Sequence, residues 1–258
     1  MKNFVLNNRN YDPILNEEDD KTYEIDRKAL FDNSAPRLPV ILLVDVSKSM
    51  SFGHLYKGIK PIDEVNKGIN QLFDYIKNDY TCAKRVELAV VTFNDEVKIV
   101  SDFAPIETKD PVHFSANRGT IMGPALAFVS QRIKERLNEY KQHGRSCYRP
   151  MVIMLTDGGP GDEKDFLREK ALINEASKKK QLQFFAIKVG EEENKENNAR
   201  HAALLNGIDY QVPVSGLDPK NFPDFFKWLS MSLRSRSSSH DMDDATIEDP
   251  SAWWKKLV

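Results

Sequence analysis

Residues 40–50 read VILLVDVSKSM. Val40 to Val44 is an unbroken run of branched apolar side chains, too short for a helix and suited to a strand covered on both faces. The run stops at Asp45, and Ser47 and Ser49 follow at alternate positions. The same signature recurs at VELAVVTF (residues 86–93), MVIMLT (151–156), FFAIKV (184–189) and, in weaker form, at Ile208 to Val212.

Helical patterns separate these strands. Ile62, Val65, Ile69, Leu72, Phe73 and Ile76 fall on one face of a 3.6-residue period. Further helices are expected over Met122 to Tyr140, Lys164 to Lys179, Asn198 to Leu205 and Asn221 to Leu233. Asn94-Asp95-Glu96 makes a tight turn from one strand into Val97 to Val100, which predicts a hairpin and one antiparallel edge strand. Elsewhere strand and helix alternate. The fold class is therefore α/β, Rossmann-like, with a mostly parallel sheet and helices on both faces.

The chain has 258 residues, 40% apolar and 29% charged, which fits one large globular domain and excludes collagen-like, coiled-coil and wholly disordered classes. Its ends differ from its middle. Residues 1–36 carry eight acidic and five basic side chains, and residues 240–258 carry five and two, so the middle holds a surplus of four positive charges against an overall −2. The expected divisions are an acidic extension over 1–36, one domain over 37–235, and a flexible acidic tail over 236–258. The tail ends in Trp253 and Trp254, which serve equally well as anchors on this domain or as a docking peptide for another protein.

A balanced net charge gives no nucleic-acid or membrane surface. Cys82 and Cys147 stand alone, without thiolate-zinc spacing, and suit a reducing cytoplasm. Neither a signal-like apolar segment nor a membrane-length run occurs in the sequence.

In a sheet of this kind ligands bind beyond the carboxyl ends of the strands. Two strands end there in an acid, Asp45 and Asp157, and Asp157 is followed by Gly158-Gly159-Pro160-Gly161. A third loop, Arg118-Gly119-Thr120, precedes a helix. Asp45, Ser47, Ser49, Thr120 and Asp157 offer only carboxylate and hydroxyl oxygens, hard donors suited to Mg²⁺ or Mn²⁺ rather than zinc. Two formal negative charges leave such an ion under-neutralised, so an open position should attract an outside carboxylate. Taken alone, Asp45-x-Ser47-x-Ser49 also reads as helix capping, and Gly119-Thr120 as an ordinary helix start.

At these residues the sequence resembles the von Willebrand factor A (vWA) domain and its metal-ion-dependent adhesion site: Asp-x-Ser-x-Ser, a Thr in a Gly-Thr loop, then an Asp after a late strand. RLPVILLVDVSKSM, VVTFND, PMVIMLTDGGP and FFKWLSMSL are similar to the bacterial TerY-like tellurite-resistance group. The resemblance implies a non-enzymatic, cytoplasmic interaction module in a stress-response or defence system. Its partner would offer Glu or Asp to the metal, and a Ser/Thr kinase and a PP2C-type phosphatase would be its companions. Arg118 stands where the family usually has Gly, placing a cation beside the site, and His54 follows the Asp45 loop closely enough to line its rim.

A Mg²⁺-dependent phosphohydrolase using the same acidic cluster is the alternative. It lacks the second acid that a haloacid-dehalogenase-type nucleophile needs, because Ser47 occupies that position. The segment from Gly53 to Lys60 fails as a phosphate-binding loop, since Ile59 stands where lysine is required.

Overall fold

The computed structural model describes residues 2–4, 35–52, 58–104, 106–190, 194–209 and 215–242. Among them are seven strands: β1 (Lys2–Phe4), β2 (Leu38–Asp45), β3 (Val86–Phe93), β4 (Val97–Ser101), β5 (Met151–Thr156), β6 (Gln183–Val189) and β7 (Ser215–Leu217). They form one sheet in the order β1-β4-β3-β2-β5-β6-β7. β2 lies parallel to β3 and β5, and β5, β6 and β7 continue in parallel. Only β4 runs against the rest, as the Asn94-Asp95-Glu96 turn predicts.

All eight residues of β2 and of β3 are buried, as expected of strands covered on both faces. Alternate residues of β2 feed two cores. Val40, Leu42 and Val44 meet α1 (Pro61–Asn78) and α6 (Phe222–Ser238), whereas Ile41 and Leu43 meet α3 (Gly123–Gln142) and α4 (Glu163–Lys178). On the first face the helices approach closely. A Cβ at Gly68 of α1 would stand 1.9 Å from the Phe226 ring of α6.

Three features depart from the sequence reading. A short strand, β1, pairs outside β4, with Lys2 opposite Ile99 and Phe4 opposite Val97, so β4 is flanked on both sides. The strand expected from Ile208 does not form at its described residues. Ile208 is buried but lies in the turn after α5 (Lys195–Leu205), its N–H donating to the Leu205 carbonyl, and the last strand is β7. Its apolar character serves the core and not a sheet register. The closing helix also runs on to Ser238, past the expected end at Leu233, because Arg236 and Ser237 are themselves buried.

An additional short helix, α2 (Tyr80–Arg85), precedes β3 and is capped by Asp79, whose carboxylate accepts from the Thr81 and Cys82 amides. No helix among the described residues is long and apolar enough to cross a membrane.

Candidate metal centre

Strand order reverses between β2 and β5, the place where open α/β sheets hold their ligands. Val44 pairs with Leu155, which sets Asp45 beside Thr156 and Asp157 one residue beyond. The Thr156 hydroxyl donates to Asp45 Oδ2 at 2.7 Å, and the Ser47 amide donates to Asp45 Oδ1 at 2.7 Å. Both carboxylate oxygens of this fully buried acid are thus oriented by short bonds.

The loop after β2 then turns through a short 3-10 helix, Lys48–Ser51. This turn brings Ser47 Oγ and Ser49 Oγ within 3.1 Å of each other, and Ser49 Oγ donates to Asp157 Oδ1 at 2.8 Å. Asp45, Ser47, Ser49 and Asp157 are therefore joined in one oxygen cluster.

Thr120 reaches the same end of the sheet by a different route. The segment before it is docked on α1 by two asparagines one turn apart. Asn66 exchanges bonds with the Phe114 backbone at 2.8 and 3.0 Å, and Asn70 does the same with Val112 at 2.9 Å each way. Each side-chain amide mimics a neighbouring strand's peptide group. Farther along, the Asn117 amide donates to the Val46 carbonyl at 2.8 Å and the Lys48 amide to the Arg118 carbonyl at 3.1 Å. The Thr120 carbonyl accepts from the Gly161 amide at 3.0 Å, while Asp162 accepts from the Met122 and Gly123 amides at 2.8 Å each, capping α3. Three loops are knitted into one surface.

Burial, then the neighbouring Asp45 charge, pushes the Asp157 carboxyl up to about 7, and burial raises Asp45 as well. Lys188, buried at the end of β6, points its Nζ at the Asp157 carbonyl at 3.3 Å and offsets part of that repulsion. Two crowded carboxylates and hydroxyl oxygens at hydrogen-bond distance, with no thiolate or imidazole bonded to them among the described residues, fit a hard divalent cation. Among the described residues no group of three or more His, Cys, Asp or Glu side chains offers a rival metal site.

The von Willebrand factor type A domain model matches residues 40–207, which spans every one of these loops. The chain belongs to that family. Among solved structures, this vWA domain is similar to the pilus adhesin SpaC of Lactobacillus rhamnosus GG, at 12% identity over 79% of this chain and 32% of that one, with a TM-score of 0.61. It is also similar to a D319A mutant of the PilB minor pilin of Streptococcus sanguinis, at 12% identity over 77% and 62%, with a TM-score of 0.51. Proximal thread matrix protein 1 from the mussel byssus, solved with a zinc-occupied MIDAS motif, matches at 19% identity over 77% and 47%, with a TM-score of 0.46. The chain thus spans 32% to 62% of these proteins, and for the adhesin and the pilin the likeness is one of fold. No curated protein sequence matches it.

Of the residues singled out in the sequence of this vWA domain, Asp45, Ser47, Ser49 and Asp157 come together through direct bonds, and Thr120 lies on the adjoining loop. Arg118 is at the rim, but its guanidinium is paired with Asp95 and Glu96 of the β3–β4 hairpin. His54, Trp253 and Trp254 lie outside the described residues. Sequence reasoning missed Thr156, Lys188, Asp162 and the Asn66–Asn70 pair. Thr156 and Lys188 look like ordinary strand residues. Asp162 carries a readable signal, an acid immediately before an amphipathic helix, but the helix it caps is α3 and not its own.

Proposed function

We propose that this vWA domain is a non-enzymatic protein–protein interaction module that holds Mg²⁺ or Mn²⁺ through Asp45, Ser47, Ser49, Thr120 and Asp157 and bridges it to a Glu or Asp of a partner. The observation that carries the reading is the continuous contact from Ser47 Oγ through Ser49 Oγ to Asp157 Oδ1 beside buried Asp45. When bound, the cation would supply a Lewis-acidic position open to an outside oxygen. The chain's own residues do the rest. Thr156 and the Ser47 amide orient Asp45, Ser49 orients Asp157, and Lys188 adds a third positive charge near a site with only two acids. Net positive charge then favours an anionic ligand.

Motif likeness to the TerY-like group supports a finer reading: a cytoplasmic module of a bacterial stress-response or defence system, with a Ser/Thr kinase and a PP2C-type phosphatase as companions. In this reading the interaction domain begins near residue 37 and runs through the last helix to Ser238, with β1 (Lys2–Phe4) added beside β4, so the acidic appendages are narrower than residues 1–36 and 236–258.

The test is an affinity pull-down with the full chain, wild type against Asp45→Ala, each with Mg²⁺ and with EDTA. A partner retained only by the wild type with metal supports the reading, and a partner captured equally in all four arms contradicts it. Phosphatase and nuclease assays with Mg²⁺ or Mn²⁺ run beside it. Turnover abolished by Asp45→Ala would favour the phosphohydrolase instead.

A further inference from the structure

Arg118 adopts φ 64°, the left-handed region that side chains ordinarily avoid. In that conformation its backbone and side chain serve different neighbours. The carbonyl accepts from the Lys48 amide at 3.1 Å, between the two site serines. The guanidinium turns to the β3–β4 hairpin, with Nη1 at 3.2 Å from Asp95 Oδ1 and 2.5 Å from Glu96 Oε1. Glu96 is shared with Lys98, whose Nζ is 2.7 Å from Oε2.

The hairpin tip is fixed beside the site. Asn94 donates to the Asn117 carbonyl and side-chain oxygen at 3.2 and 3.0 Å, and its own carbonyl accepts from the Ile121 amide at 2.7 Å. Asp95 and Glu96 therefore stand beside the loop that carries Arg118 and Thr120. Exposed ion pairs of this kind contribute little to folding. Their consequence is the local field: without Arg118 the two hairpin carboxylates would keep, among the described residues, only the Lys98–Glu96 ion pair, and the added negative charge would disfavour an incoming acid.

We propose that Arg118 makes this rim specific for an acidic ligand by neutralising Asp95 and Glu96, an inference that rests on the metal-bridged reading above. Its role is electrostatic and does not require the guanidinium to touch the ligand.

Acetate serves as the probe. A ligand that binds only the metal-loaded protein tightens apparent metal affinity, so Mn²⁺ is titrated calorimetrically in chloride and in acetate at equal ionic strength. For the wild type, acetate should tighten apparent Mn²⁺ affinity by about threefold or more at concentrations a few times its own dissociation constant. Arg118→Gly fits the positive φ; removing a cation should tighten Mn²⁺ binding in chloride, by about twofold, while at least halving the acetate effect. Adding Asp95→Asn and Glu96→Gln to that variant should restore the effect, and Arg118→Lys should retain it. Opposite movements of cation and anion affinity are not what general damage to the loop would give. An acetate effect undiminished in Arg118→Gly, or lost equally in Arg118→Lys, would overturn this inference alone. Absence of Mn²⁺ heat from the wild type would overturn the metal reading and this inference with it.

Discussion

The Ser49 hydroxyl donates to Asp157 Oδ1 at 2.8 Å, joining loops 108 residues apart in the chain. The bond holds one acid in place beside another that it would otherwise repel, and the two carboxylates remain a strained pair until a cation joins them. Asp157→Asn keeps the acceptor for Ser49 and removes one of the like charges. Metal-free Asp157→Asn should melt higher than metal-free wild type, by about 2–4 °C for roughly 1 kcal/mol in a domain of this size. It should also lose any stabilisation by Mg²⁺. A variant that melts lower than the wild type in EDTA would show that the pair is not under repulsion.

A second buried charge cluster lies at the opposite end of β3. Glu87 Oε2 accepts from Arg136 Nε and Nη2 at 2.9 and 2.8 Å and from the Tyr140 hydroxyl, and Glu87 Oε1 is 3.5 Å from Arg37 Nε. Glu87 is thus the acid shared by two buried guanidinium groups. Glu87→Gln should destabilise the fold by about 3–5 kcal/mol, read as a lowered denaturation midpoint, because it removes the acid that Arg37 and Arg136 share and leaves Glu139 to offset Arg136. A change under about 1 kcal/mol would mean that water reaches this cluster.

Much of this architecture is legible in residues 40–50 and their counterparts. Strands buried on both faces are apolar except where a buried polar side chain finds a partner, as Glu87 does, so VILLVD and MVIMLT announce both their class and their central place, and an acid at the end of such a run has no core role to fill. What escapes reading is set by partners far along the chain. Thr156 earns its role only by lying opposite Asp45, and Asp162 caps a helix that starts 39 residues earlier. β1 and β7, three residues each, are too short to carry a period and take their form from the free edges they cover. Arg118 could be seen as a cation near the site, but the acids it faces depend on how the hairpin folds back.

Close packing of α1 on α6 makes Gly68 intolerant of any side chain. With the Phe226 ring 1.9 Å from where a Cβ would stand, Gly68→Ala should cost roughly 1–3 kcal/mol despite alanine's better helix propensity. Trimming Phe226 to Leu in the same chain should recover part of the loss. Chemical denaturation of the two variants checks both halves, and a single variant as stable as the wild type would require the helices to separate without penalty.

The chain leaves the last helix still attached to the body. The Met242 carbonyl accepts from the Arg149 amide and from Arg236 Nη2 at 3.0 Å each, and the Tyr148 hydroxyl donates to the Ser237 and Ser239 carbonyls at 2.9 and 3.1 Å. A truncation before Met242 therefore removes structure, and the informative cut falls after it. If Trp253 and Trp254 dock on a partner, deleting residues 244–258 should leave the melting temperature unchanged and weaken partner capture. A truncated chain that melts several degrees earlier would instead place the tryptophans on this domain.

The interaction proposed for this domain requires a divalent cation at the β2–β5 switch point. Isothermal titration of the full chain with Mn²⁺, compared with Asp45→Ala under the same conditions, measures this directly. The wild type should show saturable, single-site binding, of modest affinity because hydroxyl donors are weak without a partner's oxygen, and the variant should show none. Equal heats from the two proteins would contradict that proposal.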